Sequence, residues 1–254
     1  MRRTPVCVLL HAFPLTSRMW AKVRPLLADR ELHTPDYRGV TRPEELDGVP
    51  PSLDVLADDV AALLDQAGVE RAVVGGVSMG GYVAMAFARR HPARLAGLVL
   101  ADTRSSADSE EGRAGRLAIA EELESAGHVG VLLEKTVPGL LGVSTKLSKP
   151  EVVEEVRAIV SSVPPRTAAW WQRAMAARPD STPTLRTLAV PALVVVGSED
   201  TLATPDDAAA MAMAIPDARL VTIPDAGHLP PLEAPEPFAD ALRSFLDELS
   251  GSAR

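Results

Sequence analysis

The chain has 254 residues, enough for one large domain or two small ones, and 46% of them are hydrophobic, enough for a sizeable core. Its 26 lysines and arginines against 34 aspartates and glutamates give a formal charge of −8 with no basic cluster, which argues against nucleic acid or an anionic membrane surface as partner. A single cysteine excludes an intrachain disulfide framework, and no apolar run approaches the ~18 residues that span a bilayer.

Strand-like and helix-like segments alternate from the start. Met1-Arg2-Arg3 before an apolar run faintly imitates a signal peptide, but the run is short, so the expectation is a soluble cytoplasmic protein. Val6 to Leu10 has the aliphatic composition of a strand buried on both faces, with Cys7 as a core thiol. Ser17 is placed to cap a helix through Leu27, and Glu31 to Pro35 reads as a weaker strand before the turn Asp36-Tyr37-Arg38-Gly39. Ser52 precedes a second helical pattern, with Val55, Leu56, Val60, Leu63 and Leu64 at helical spacing. Arg71 to Gly75 reads as a strand, Met79 to Arg90 as a helix stopped by Pro92, and Leu95 to Ala101 as a strand. Such alternation predicts a parallel sheet with helices on both faces.

The rhythm breaks after Ala101. Helical stretches fill Ser109 to Ala126, Val129 to Leu141, Pro150 to Val160 and Arg166 to Ala177, separated by glycine and proline. Strand–helix alternation then resumes with Ala192 to Val196, Thr204 to Ala214, Arg219 to Ile223 and Glu236 to Leu249. This pattern predicts a core of residues 1–102 and 187–254 with a helical cap, 103–186, inserted before the penultimate strand. Such a cap would lie over the sheet's carboxyl edge, where open α/β sheets bind ligands. Within it, the acidic run Asp108-Ser109-Glu110-Glu111 reads as a solvated helix start.

Gly75-Gly76-Val77-Ser78-Met79-Gly80-Gly81 sits where a strand hands over to a helix. Its core, Gly76 to Gly80, matches G-x-S-x-G in the strand–turn–helix context of a nucleophile elbow. The turn is sharp enough to force strain on the serine, and its neighbours two positions away must lack a Cβ. A serine hydroxyl also needs a base oriented by a third group. Of the five histidines, His33, His91 and His128 read as surface or packing residues. His228, in Asp225-Ala226-Gly227-His228, follows the last strand at the same sheet edge as Ser78 and is the predicted base and acid. Asp200, ending Gly197-Ser198-Glu199-Asp200, is the expected orienting carboxylate, with Asp102 as its competitor.

The order Ser78, Asp200, His228 resembles that of α/β-hydrolase fold enzymes, of the branch holding carboxylesterases, enol-lactonases and C–C hydrolases with a helical cap. His11-Ala12-Phe13-Pro14 resembles that family's H-G-x-P loop, with Ala12 in place of the usual glycine. The resemblance implies an oxyanion hole built from the backbone N–H groups of Phe13 and Met79. It departs from many relatives in having only ten residues before His11, so about six parallel strands are expected.

The constellation implies acyl transfer to water on an ester, lactone or thioester, with no cofactor and no metal cluster. The partner is expected to be a small molecule, and the protein a monomer or homodimer. Trp170, Trp171 and Met175 in the insert form an apolar stripe that would roof an acyl pocket, with cap-to-core packing as the competing role. A cofactor-free lyase, a perhydrolase or a non-catalytic receptor could carry the same residues; cyanohydrin, peroxide-with-acetate and ester-saturation assays separate these.

Overall fold

A computed structural model describes residues 5–252. Six strands form one all-parallel sheet: β1 (Cys7–Leu10), β2 (Leu32–His33), β3 (Ala72–Val77), β4 (Leu95–Ala101), β5 (Ala192–Gly197) and β6 (Ala218–Ile223). Their order across the sheet is β2-β1-β3-β4-β5-β6. The inner strands β1, β3, β4 and β5 are buried almost throughout, which is why they read as uninterrupted aliphatic runs; the edge strands β2 and β6 are half exposed. Cys7 is buried in β1, and burial pushes its thiol up to about 12. The signal-like Met1-Arg2-Arg3 lies outside the described residues.

The expected helix from Ser17 to Leu27 is broken. A 3-10 turn, Ser17–Trp20, is capped by Thr16 rather than Ser17, and only then does α1 (Val23–Leu26) form. Pro25 is the local cause: without an N–H it fits a first helical turn and not a helix interior. The helices α2 (Leu53–Gln66) and α3 (Met79–Arg90) follow, with Ser52 capping α2 through Asp54 N–H at 3.1 Å.

Between β4 and β5 lie five helices: α4 (Glu110–Ala126), α5 (Val143–Ser148), α6 (Pro150–Ser161), α7 (Pro165–Ala176) and α8 (Thr182–Arg186). The expected helix from Val129 to Leu141 is instead a π turn over Leu132–Thr136 followed by a 3-10 turn over Val137–Gly139. Pro138 and Gly139 explain the loss of α geometry there. α9 (Pro205–Ala214), α10 (Pro230–Glu233) and α11 (Pro235–Ser252) complete the chain.

β1 connects to β2 on one side and the chain returns to β3 on the other, so the strand order reverses between β1 and β3. The crevice at the carboxyl ends of these two strands is where doubly wound sheets bind ligands. The loop after β1 carries Phe13, and the turn after β3 carries Ser78.

Candidate functional site

Ser78 stands between β3 and α3 with φ 54° and ψ −112°. A non-glycine residue at this angle is strained, and its surroundings hold it. Ser78 N–H donates to the Ala101 carbonyl (2.9 Å), and its own carbonyl accepts from Tyr82 N–H (3.1 Å) and the Thr103 hydroxyl (2.8 Å). A Cβ at Gly76 would lie 2.5 Å from the Leu10 carbonyl oxygen and 2.7 Å from Gly80 Cα, and one at Gly80 would strike the same carbonyl. The glycines therefore permit the close approach that makes the turn. Met79 opens α3, so its N–H has no acceptor within its own helix and faces the turn.

His228 and Asp200 come together: His228 Nδ1 lies 2.8 Å from Asp200 Oδ2, and both side chains are buried. Asp200 Oδ1 accepts from the backbone N–H groups of Leu202 (2.8 Å) and Ala203 (3.1 Å). Burial alone would raise this carboxyl; the His228 contact and these amides outweigh it and hold the group below its ordinary value. With a carboxylate at Nδ1, that nitrogen carries the proton and Nε2 is left as an acceptor.

Asp102 occupies a different role. It is buried, its φ is 45°, and its Oδ1 accepts from Gly197 N–H at 2.8 Å. Among the described residues its Oδ2 has no partner. Burial first, then the charge of Asp200, pushes this carboxyl well above the ordinary range. Glu199 points away from His228, accepting from the Ser144 amide (2.9 Å) and hydroxyl (2.5 Å). Buried Glu233 accepts from Leu229 N–H (2.9 Å) and Gly142 N–H (2.8 Å), and His228 N–H donates to the Leu140 carbonyl (3.2 Å). The inserted helices are thus tied by hydrogen bonds to the loops that carry Asp200 and His228.

Ser78, His228 and Phe13 line one cavity of about 380 Å³, with Leu140, Met175 and Leu202 on its apolar wall. Of the three predicted insert residues, only Met175 is there. Trp170 donates its indole N–H to the Val49 carbonyl (3.0 Å), and Trp171 is fully buried, its ring 5.4 Å from that of His11 and 6.0 Å from that of Tyr37. Both indoles fasten α7 to core loops, the packing role that the sequence left open beside the pocket roof. Gln172 and Met175, on the same helix, line the cavity. A larger cavity, about 610 Å³, opens between α2 and loop 36–45, but Ser78, Asp200 and His228 do not line it. The chemistry places the candidate site in the smaller one.

The polar side of the smaller cavity was not legible beforehand. Asp108, expected at a solvated helix start, is 6% exposed and held by Arg178 and Arg116, while Ser109 does cap α4. Burial raises the Asp108 carboxyl, but the arginine hydrogen bonds win and bring it to about 2. Asp108 precedes α4, Arg116 lies within that helix and Arg178 is 70 residues on, so no local pattern marked the cluster. His11 is also fully buried; burial lowers its ring to about 4, so it is neutral and bonds the Ala12 carbonyl (3.1 Å).

Residues 7–241 match the Alpha/beta hydrolase family. The chain belongs to that family. It is 32% identical over 247 residues to a pimeloyl-[acyl-carrier protein] methyl ester esterase of Edwardsiella ictaluri, covering 94% of this chain and 92% of the relative. It is 25% identical over 246 residues to 3-oxoadipate enol-lactonase 1 of Acinetobacter baylyi, covering 96% and 90%. Among solved structures it is similar to a thermophilic esterase from Thermogutta terrifontis in malate-bound form, with TM-score 0.89 and 41% identity over 98% of this chain and 92% of that one. The enol-lactonase of Burkholderia xenovorans aligns at TM-score 0.84 and 26% identity, over 96% and 92%. As a family member this chain has the expected all-parallel core, and no helix among its described residues is long and apolar enough to cross a membrane.

Proposed function

We propose that this hydrolase cleaves a small ester, lactone or thioester through an acyl-enzyme on Ser78. In this reading His228 Nε2 takes the proton as Ser78 Oγ attacks the acyl carbon, and Asp200 stabilises the imidazolium that forms. The N–H groups of Phe13 and Met79 hold the developing oxyanion, each such donor contributing about 3 kcal/mol in the transition state. His228 then protonates the leaving oxygen or sulfur, and a water, deprotonated by the same nitrogen, releases the acid. Residues 103–186 act as a cap over the cavity, with Met175 and Leu140 against the acyl chain.

The observation that carries this reading is the 2.8 Å contact between His228 Nδ1 and Asp200 Oδ2 beside a cavity that His228 shares with the strained Ser78. The esterase and lactonase names of the relatives support the bond type. Steady-state hydrolysis of a chromogenic butyrate ester tests it. Ser78→Ala is expected to lower kcat by roughly 10³-fold or more. Saturable turnover at the wild-type rate in that variant would show that Ser78 is not the nucleophile.

A further inference from the structure

The cavity beside Ser78 holds more positive charge than the acids around it neutralise. Asp108 accepts from Arg178 twice (Nη1 to Oδ2, 2.6 Å; Nη2 to Oδ1, 2.9 Å) and from Arg116 Nε (2.6 Å). A third guanidinium, Arg104, lines the cavity but comes only to 4.0 Å from Asp108 Oδ1, and its buried Nε has no partner among the described residues. Three arginines therefore share one carboxylate. Lys135, also on the wall, is paired with Glu122 at 2.9 Å. Asp54, the other carboxylate of the small adjoining cleft, is engaged by Arg89 and Arg90.

The cluster is built rather than loose. Arg178 is 5% exposed, lies 4.1 Å above the Tyr82 ring, and donates to the carbonyls of Ser106 and Met175. Arg116 also donates to the Gln172 side chain (3.2 Å). Tyr82 lies on α3 one turn, ~5.4 Å, after Ser78, so the charge is close to the proposed nucleophile. Behind Arg178, the side chains of Arg104 and Arg116 are 36% and 21% exposed, so they keep part of their hydration and stand open to an anion entering the cavity. Arginine forks suit a carboxylate, and a low-dielectric cleft lined by one sign of charge concentrates ligands of the other.

We propose that Arg104 and Arg116 form a carboxylate subsite, and that the preferred substrate is an ester or lactone carrying a second, ionised carboxyl group. The subsite holds that carboxylate while Ile119 and Met175 flank the short chain between it and the acyl carbon at Ser78. This rests on the hydrolase reading above.

The test uses the full chain and three pairs of probes: monoethyl succinate, glutarate and adipate against ethyl butyrate, valerate and hexanoate, followed by pH-stat at pH 7.5. The expected result is a charged-to-neutral ratio of kcat/KM of about 10 to 100 at the best chain length, set mainly through KM. Arg104→Gln should collapse that ratio towards one, and Arg104→Lys should restore part of it. Arg116→Gln provides a second variant, with circular dichroism to check folding. A ratio of one or less at all three lengths, or a ratio unchanged in Arg104→Gln, would overturn the proposal. If wild-type protein hydrolyses no ester, the hydrolase reading fails and calorimetric titration with monoethyl glutarate decides the subsite separately: binding lost in Arg104→Gln upholds it, and no binding overturns it.

Discussion

Asp200 and Asp102 follow neighbouring strands, and their environments set them apart. Asp200 is ionised because one nitrogen of His228 and two backbone amides turn towards it. Asp102 is held well above the ordinary carboxyl range because it is buried beside that charge. Asp200→Asn is therefore expected to cost on the order of 10⁴-fold in kcat near neutral pH, since the amide would fix the wrong imidazole tautomer. Asp102→Asn keeps the shape of a group bonded to Gly197 rather than to His228 and should cost far less; the reverse ranking in ester kinetics would move the acid to Asp102. Stability offers an independent check. Because the folded value of Asp102 is raised, its contribution is fully present below the unfolded value near 3.9 and is lost as pH rises above it. Asp102→Asn should match the wild type in urea midpoint near pH 4 and exceed it at pH 7 to 8.

Asp108 has the opposite sign. Its folded value is about 2, so the stabilisation it gives is present above pH ~3.9 and is lost as pH falls towards 2. Asp108→Asn should lower unfolding free energy by on the order of 2 kcal/mol at pH 7, with the deficit fading below pH 3. At this scale the tight strand-to-helix turn at Ser78 was readable because G-x-S-x-G encodes a steric demand. The arginine cluster was not, because its members are brought together by the packing of α4 against α7 and nothing local marks them.

Among the elements, α7 shows how a sequence stripe can be read as apolar while the neighbour that covers it stays open. Trp170 and Trp171 are adjacent and large, but the helix turns them towards loops 37–49, where Thr167 also bonds the Gly39 carbonyl (2.6 Å). Periodicity reports that a face is buried, not which neighbour buries it. Trp171→Ala should therefore destabilise by about 3–5 kcal/mol in chemical denaturation. Met175→Ala should instead shift the ranking of ester chain lengths. If Trp171→Ala left stability untouched and changed that ranking, the packing role of Trp171 would be overturned. The Val129 to Leu141 segment failed as a helix for the reason its own Pro138 and Gly139 supply, yet its turns deliver Leu140 to His228.

For the whole molecule, the legible part was the alternation of aliphatic runs with helical patterns, because inner parallel strands must be apolar on both faces. Six parallel strands and the helical stretch between β4 and β5 followed from that alone. Much of what joins the inserted helices to the core was hidden: among the links are single acids, Glu233 to Gly142 and Glu199 to Ser144, whose partners lie 91 and 55 residues away. The central claim is that this scaffold strains one serine into a shared cavity in order to acylate it. Reaction with a fluorophosphonate, read by intact mass and peptide mapping, tests that most directly. One adduct per chain on the peptide holding Ser78, absent in Ser78→Ala and slowed in His228→Ala, is the predicted result; no adduct, or an adduct on another residue with normal ester turnover in Ser78→Ala, would contradict it.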